Sequence, residues 1–144
     1  GQYCLVADFS CGEEDWPGSC VPIPDSCPAP DVPVCGCDGV TYPSACRAAM
    51  EGVDLGTAPT CQPVGGTFRC GPLFCRIADQ ICRHTHRLGA PKAEEHGYDC
   101  LPQPPGCPTG CGCDLCEPCP PDTTCAEICS IDPTGGHELL CTEI

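Results

Sequence analysis

The chain contains no asparagine. Every Asn-x-Ser/Thr acceptor is therefore missing, N-linked glycosylation is excluded, and turns must be built from Gly, Pro, Asp and Ser. Aromatic residues are scarce: three Phe, three Tyr and one Trp in 144 residues leave few platforms for stacking sugars or bases. Positive charge is also scarce, with six Lys and Arg against 20 Asp and Glu, for a formal net charge of -14. Phosphate binding needs a dense basic surface, so the expected partners include no nucleic acid, and an anionic membrane surface is disfavoured likewise. No stretch approaches the ~18 apolar residues that span a bilayer. The opening GQYCLVADF lacks the basic start and apolar run of a secretion signal, which reads as a mature extracellular chain after signal-peptide removal.

A large apolar core is missing too. Leu, Ile, Val and Phe make up only 24 of 144 residues, a level at which a highly charged chain is expected to stay disordered without cross-links. What the chain has in their place is 20 Cys, 19 Pro and 17 Gly. An even Cys count at this density implies a disulfide framework made in an oxidising, extracytoplasmic compartment. The fold class that follows is a small disulfide-rich protein with little regular structure.

Cysteine parity and the turn-rich Pro63-Val64-Gly65-Gly66 suggest a division. Eight Cys precede it and twelve follow, so residues 1–63 and 64–144 can each close their own bridges, with a subdivision of the second part near 100–110. Charge is segmented in the same way. The first part has nine acids and one base, residues 64–99 have five bases and four acids, and residues 100–144 have seven acids and no base. A basic middle between acidic ends offers a route to steered self-association beside the plainer role of keeping the protein soluble.

Locally, PVCGCDGVTY gives two short β-prone runs around Asp38-Gly39, a strong hairpin signal. SACRAAMEG suits a short helix that starts at Pro43 or Ser44 and stops before Gly52. FRCGPLFCRIADQICRHTHRL reads as short strands, and DTTCAEICS as a helical turn or two capped by Asp122 or Thr123.

The segment CPAPDVPVCGCDGVTYPSACRAAMEGVDLGTAPTC, Cys27 to Cys61, resembles the Kazal family of serine protease inhibitors. The likeness rests on the spacings Cys27-x7-Cys35 and Cys35-x10-Cys46 and on DGVTY placed before the Cys that begins the helix. The wider arrangement GQYC...SCG...GSCVPIPDSC...CGCDG is similar to Kazal-like modules of secreted bacterial proteins, myxobacterial ones in particular. The second part resembles uncharacterised cysteine-rich repeats of the same organisms. The resemblance implies an α+β module, a short antiparallel sheet with one helix, ahead of a mostly β and loop module. It also implies the bridges Cys27–Cys46 and Cys35–Cys61. Ala49 stands where the family has its fifth Cys, and Cys37 is an addition. The simplest rewiring pairs Cys20 with Cys37 and Cys4 with Cys11.

The same resemblance makes Ala29-Pro30 the reactive bond, with a small residue suited to an elastase-like or subtilisin-like protease. Two departures weaken it. Pro30 removes the amide N–H and crowds the leaving-group side of the bond. Ser44 stands where the family usually has an Asn that supports the loop from behind, and a hydroxyl reaches less far. The leading expectation is therefore a structural or interaction protein, a self-assembling subunit of an extracellular filament, sheath or matrix. Its partner is itself, as a homopolymer, or another extracellular protein, and Leu139, Leu140 and Ile144 of the apolar tail HELLCTEI are the candidate contacts. A serine protease inhibitor is the alternative, and an adhesion or glycan-binding module using Trp16 a further one.

No catalytic motif is present, neither G-x-S-x-G nor H-E-x-x-H, and the expectation is a non-enzyme without cofactors. CGCDLCEPCP has three Cys in a ferredoxin-type run but Thr123 at the fourth position, and reads as disulfides. Cys82, His84 and His86 could approach a metal from a strand, but surface histidines beside a bridged Cys are the plainer reading. GEED and SIDPTGGHE lack an EF-hand pattern and read as solvated acid, so no metal is expected.

Overall fold

The computed structural model describes residues 1–6, 9–12, 18–29, 32–90, 95–103, 125–131, 133 and 135–143. The hairpin expected around Asp38-Gly39 is there. Strand β3 (Val34–Cys35) pairs antiparallel with β4 (Thr41–Tyr42), Val34 opposite Tyr42. Gly39 sits in the turn at φ 79°, a conformation that side chains with a Cβ rarely adopt. Helix α1 (Ala45–Met50) follows at once. Ser44 is its N-cap, in extended conformation, and its Oγ accepts from the Arg47 N–H at 3.3 Å, satisfying an otherwise orphaned donor. The helix buries Ala48 and Ala49 and ends at Glu51, with Gly52 just beyond at φ 76°.

Before this unit, β1 (Gln2–Leu5) and β2 (Ser19–Pro22) form a two-stranded antiparallel ribbon. After it come β5 (Thr67–Cys70), β6 (Leu73–Arg76), β7 (Gln80–Arg87), β8 (His96–Pro102), β9 (Cys125–Ile131) and β10 (His137–Glu143). One sheet runs β4-β3-β6-β5 and the other β8-β7-β10-β9. The first crosses the expected division near Val64: β6 pairs with β3 through Val34 and Leu73, Cys35 N–H donates to Pro72 O at 2.7 Å, and Phe74 N–H donates to Pro33 O at 2.8 Å. Residues 64–76 thus complete a sheet begun in the first part. One edge of β3 is paired with β4 and the other with β6 of the same chain.

The second sheet mixes orientations, with β10 parallel to β7 and antiparallel to β9. This corrects two expectations. Cys125–Ser130 of DTTCAEICS lie in strand β9 and not in a helical turn, because seven consecutive register pairs between β9 and β10 outweigh a weak local helix preference; Asp122 and Thr123 lie outside the described residues. HELLCTEI is not a free apolar tail, because His137–Glu143 is an inner strand. Leu139 is only 1% exposed and belongs to the core, and Leu140 is partly buried. Leu139 is therefore no exposed assembly contact, and Ile144 lies outside the described residues.

Among the described residues the core is small and made largely of sulfur and aromatic groups. Phe68, Cys70, Cys75 and Cys82 form one buried cluster, with Leu73, Ile77, Tyr98 and Cys100 packed against it. Phe74 joins Cys35 and Cys61 in a second, beneath β3 and β6. Bridges Cys70–Cys82 and Cys75–Cys100 tie β5 to β7 and β6 to β8. Among the described residues no helix is long and apolar enough to cross a membrane.

Candidate functional site

The segment leading from Cys27 towards β3 is held at both ends. At its start, Cys27 is bridged to Cys46 in α1, with a Cα–Cα distance of 5.6 Å. At its finish, Pro33 O accepts from Phe74 and Val34 is buried between β4 and β6. Pro28 and Ala29 are exposed between these anchors; Pro30 lies outside the described residues. An exposed segment fixed at its two ends has the layout needed to present a rigid, substrate-like loop. Ser44, the residue expected to brace that loop, is 7% exposed, and its Oγ bonds Arg47 of its own helix.

Behind the loop, Cys35 is bridged to Cys61. Cys37 is bridged to Cys11 and not to Cys20, which corrects the rewiring expected from sequence. The reason lies in the ribbon at the N-terminus. Its register sets Cys4 opposite Cys20, so these two become neighbours and leave Cys11 for Cys37. Both Cys4 and Cys20 are exposed thiols in the structure, so Cys4–Cys11 is not formed. Gly56 makes room for the observed bridge, since a Cβ there would collide with Cys11 Sγ and stand 3.1 Å from Cys37 Sγ.

Two polar anchors had no motif to reveal them. Asp54 is a buried carboxylate whose Oδ2 accepts from Val6 N–H and whose Oδ1 accepts from Leu55 N–H at 2.7 Å, fastening the N-terminal extension to the module. Tyr3 nearby has its pKa raised, first by burial and then by the charge of Asp54. Arg69 of β5 reaches the other way: its guanidinium donates to Cys61 O at 2.6 Å and Ala58 O at 3.1 Å while lying 5.3 Å from the centre of the Phe74 ring. Burial lowers its pKa. Arg69 thus works as a clamp between the two parts of the chain.

Of the residues considered for metals, Cys82 is bridged to Cys70 and unavailable. His84 meets His96 of the neighbouring strand and His86 meets Glu95 just before that strand, a grouping not visible from spacing alone. Trp16, the GEED acids and CGCDLCEPCP lie outside the described residues.

Residues 23–57 match the Kazal-type serine protease inhibitor domain. The hairpin, the helix and the Cys27–Cys46 and Cys35–Cys61 bridges described above fall in this stretch or, for Cys61, just past it. No curated protein and no solved structure matches the chain.

Proposed function

We propose that the chain is a secreted, disulfide-stapled structural and interaction protein that keeps the Kazal framework as a scaffold without using it to inhibit a protease. The observation that carries this reading is the hydroxyl of Ser44, which caps α1 through Arg47. A reactive loop survives its protease because groups behind it hold the two ends of the scissile bond together. Ser44 has a shorter reach and fewer hydrogen-bonding groups than the family's Asn, its oxygen already accepts from Arg47 N–H, and Pro30 stands on the leaving-group side; these features argue for weak support where inhibition needs it. The joining of β6 to β3 favours the same reading, since it makes the module part of a larger sheet.

Secretion follows from the bridges, which persist in oxidising compartments. The partners are other extracellular proteins or further copies of the chain in a filament, sheath or matrix. With Leu139 in the core, copies would meet through sheet margins. β8 and β9 flank one sheet and β4 and β5 the other, each with one neighbour among the described strands. Sizing by light scattering over a wide concentration range, with electron microscopy of native material, tests this part. Growth with concentration is expected, and a strict monomer throughout would remove it.

The second reading is inhibition through Ala29-Pro30, favoured by the exposure of Ala29 and its anchoring by Cys27–Cys46. Titration against elastase-like and subtilisin-like proteases separates the two. The scaffold reading expects no tight binding, whereas stoichiometric inhibition abolished by Ala29→Asp would establish the inhibitor.

A further inference from the structure

Strands β7 and β8 bring three histidines and a carboxylate to one place. His84 and His86 are two residues apart on β7 and so share a face of the sheet. Register sets His96 of β8 opposite His86 and Tyr98 opposite His84. Glu95 immediately precedes β8, and its Oε1 stands 3.3 Å from His86 Nε2. His84 Nε2 and His96 Nδ1 are 3.0 Å apart, so a proton on one is shared with the other. The rings form a stack, with His84 4.4 Å from Tyr98 and His86 4.6 Å from His96. Glu138 of β10 approaches His84 Nδ1 at 3.9 Å.

One donor atom from each of His86, Glu95 and His96 lies within 4.8 Å of the others. Tetrahedral zinc with bonds of about 2.0–2.1 Å holds its ligands about 3.3 Å apart. The His86–Glu95 separation already has that value. His86 and Glu95 have 27% of their side-chain surface exposed, which gives them room to turn and gives an ion a way in. Two imidazoles and one carboxylate are a ligand set for first-row transition ions, whereas calcium and magnesium favour all-oxygen shells. Three protein ligands leave a fourth position for water.

We propose that His86, Glu95 and His96 bind a divalent first-row transition ion, and that His84 positions His96 through their hydrogen bond. The site is separate from the Kazal module and does not depend on the scaffold reading. A bound ion would cross-link the two ends of the β7–β8 hairpin near the 91–94 connection.

The test uses the full oxidised chain, freed of metal by chelation and titrated with Zn²⁺ alone by calorimetry, with imidazole resonances followed by NMR. The expected result is a single saturable site, with the signals of His86 and His96 shifted and that of His137, opposite Ile81 on another strand, unchanged. His86→Gln and His96→Gln should each weaken binding by about tenfold or more, and His84→Gln by roughly tenfold, as for residues that orient a ligand. The NMR shifts need no variant and hold the test open if a variant fails to fold. Absence of saturable binding, shifts confined to other groups, or unchanged affinity in folded His86→Gln and His96→Gln would overturn the proposal.

Discussion

Tyr42 and Asp38 show how a short motif supports the hairpin. Tyr42 Oη donates to Asp38 Oδ2 at 2.7 Å, while Asp38 Oδ1 accepts from Val40 N–H at 3.1 Å. The bond to Asp38, then burial and the charges of Asp38 and Glu51, push the Tyr42 pKa up to about 12. A phenol whose folded pKa is raised contributes stability that is fully present below its unfolded pKa near 10. That contribution is lost as pH rises from there through about 12. Following tyrosinate absorbance during alkaline titration should show Tyr42 as a late component beside Tyr3 and Tyr98, whose pKa values are also raised. Asp38→Ala should bring it down towards 10, and a transition that stays in place would remove the bond from this account. Both residues stand in the motif DGVTY and were legible as a group. Asp54 was not, because nothing local distinguishes a carboxylate that will be buried against a distant N–H from one left in water.

Strand β3 holds the first sheet together by pairing on both sides, with Phe74 beneath it. Phe74→Ala should cost about 3–5 kcal/mol, the usual range for truncating a buried phenylalanine. The melting transition should fall accordingly, and a loss below about 1 kcal/mol would mean that the sheet junction contributes little. The ribbon makes a sharper prediction. Ile23 N–H donates to Gly1 O, which makes Gly1 and Ile23 a hydrogen-bonded pair, so alternation puts Cys4 and Cys20 at a non-hydrogen-bonded pair. Such positions bring Cα atoms to about 4.5 Å, just inside the range a disulfide accepts. In a glutathione redox buffer set oxidising, peptide mapping should find Cys4 joined to Cys20. Alkylation of both without prior reduction would contradict the register. The hairpin and α1 were readable because Asp38-Gly39, Ser44 and Gly52 act over a few residues. β9 was misread because its pairing comes from β10, which in turn lies parallel to β7 more than 50 residues earlier in the chain.

At the scale of the molecule, bridges and clamps supplement the core among the described residues, and three of the six Lys and Arg are engaged internally. Arg69 clamps the first sheet, Arg76 pairs with Asp79 at 2.7 Å and Arg83 with Asp99 at 2.8 Å. The basic middle of the sequence is therefore a weaker magnet for acidic ends of other copies than its composition suggests. The need for disulfides was plain from the apolar deficit, and the Kazal spacing pointed to two of the bridges. The pairing of Cys37 was not legible, because β1–β2 register decides which of Cys4, Cys11 and Cys20 remains for it. The His84, His86, His96 grouping was hidden for a related reason: His96 has no motif and joins the others only across a strand pair. The central claim, a Kazal framework kept without inhibition, is tested most directly by the inhibition constant of the wild type against one elastase-like protease. The comparison is a double variant, Pro30→Leu with Ser44→Asn, which restores an amide N–H and a longer loop brace. Tight binding is expected of the double variant alone; tight inhibition by the wild type, equal to that of the double variant, would mean that the framework is an inhibitor.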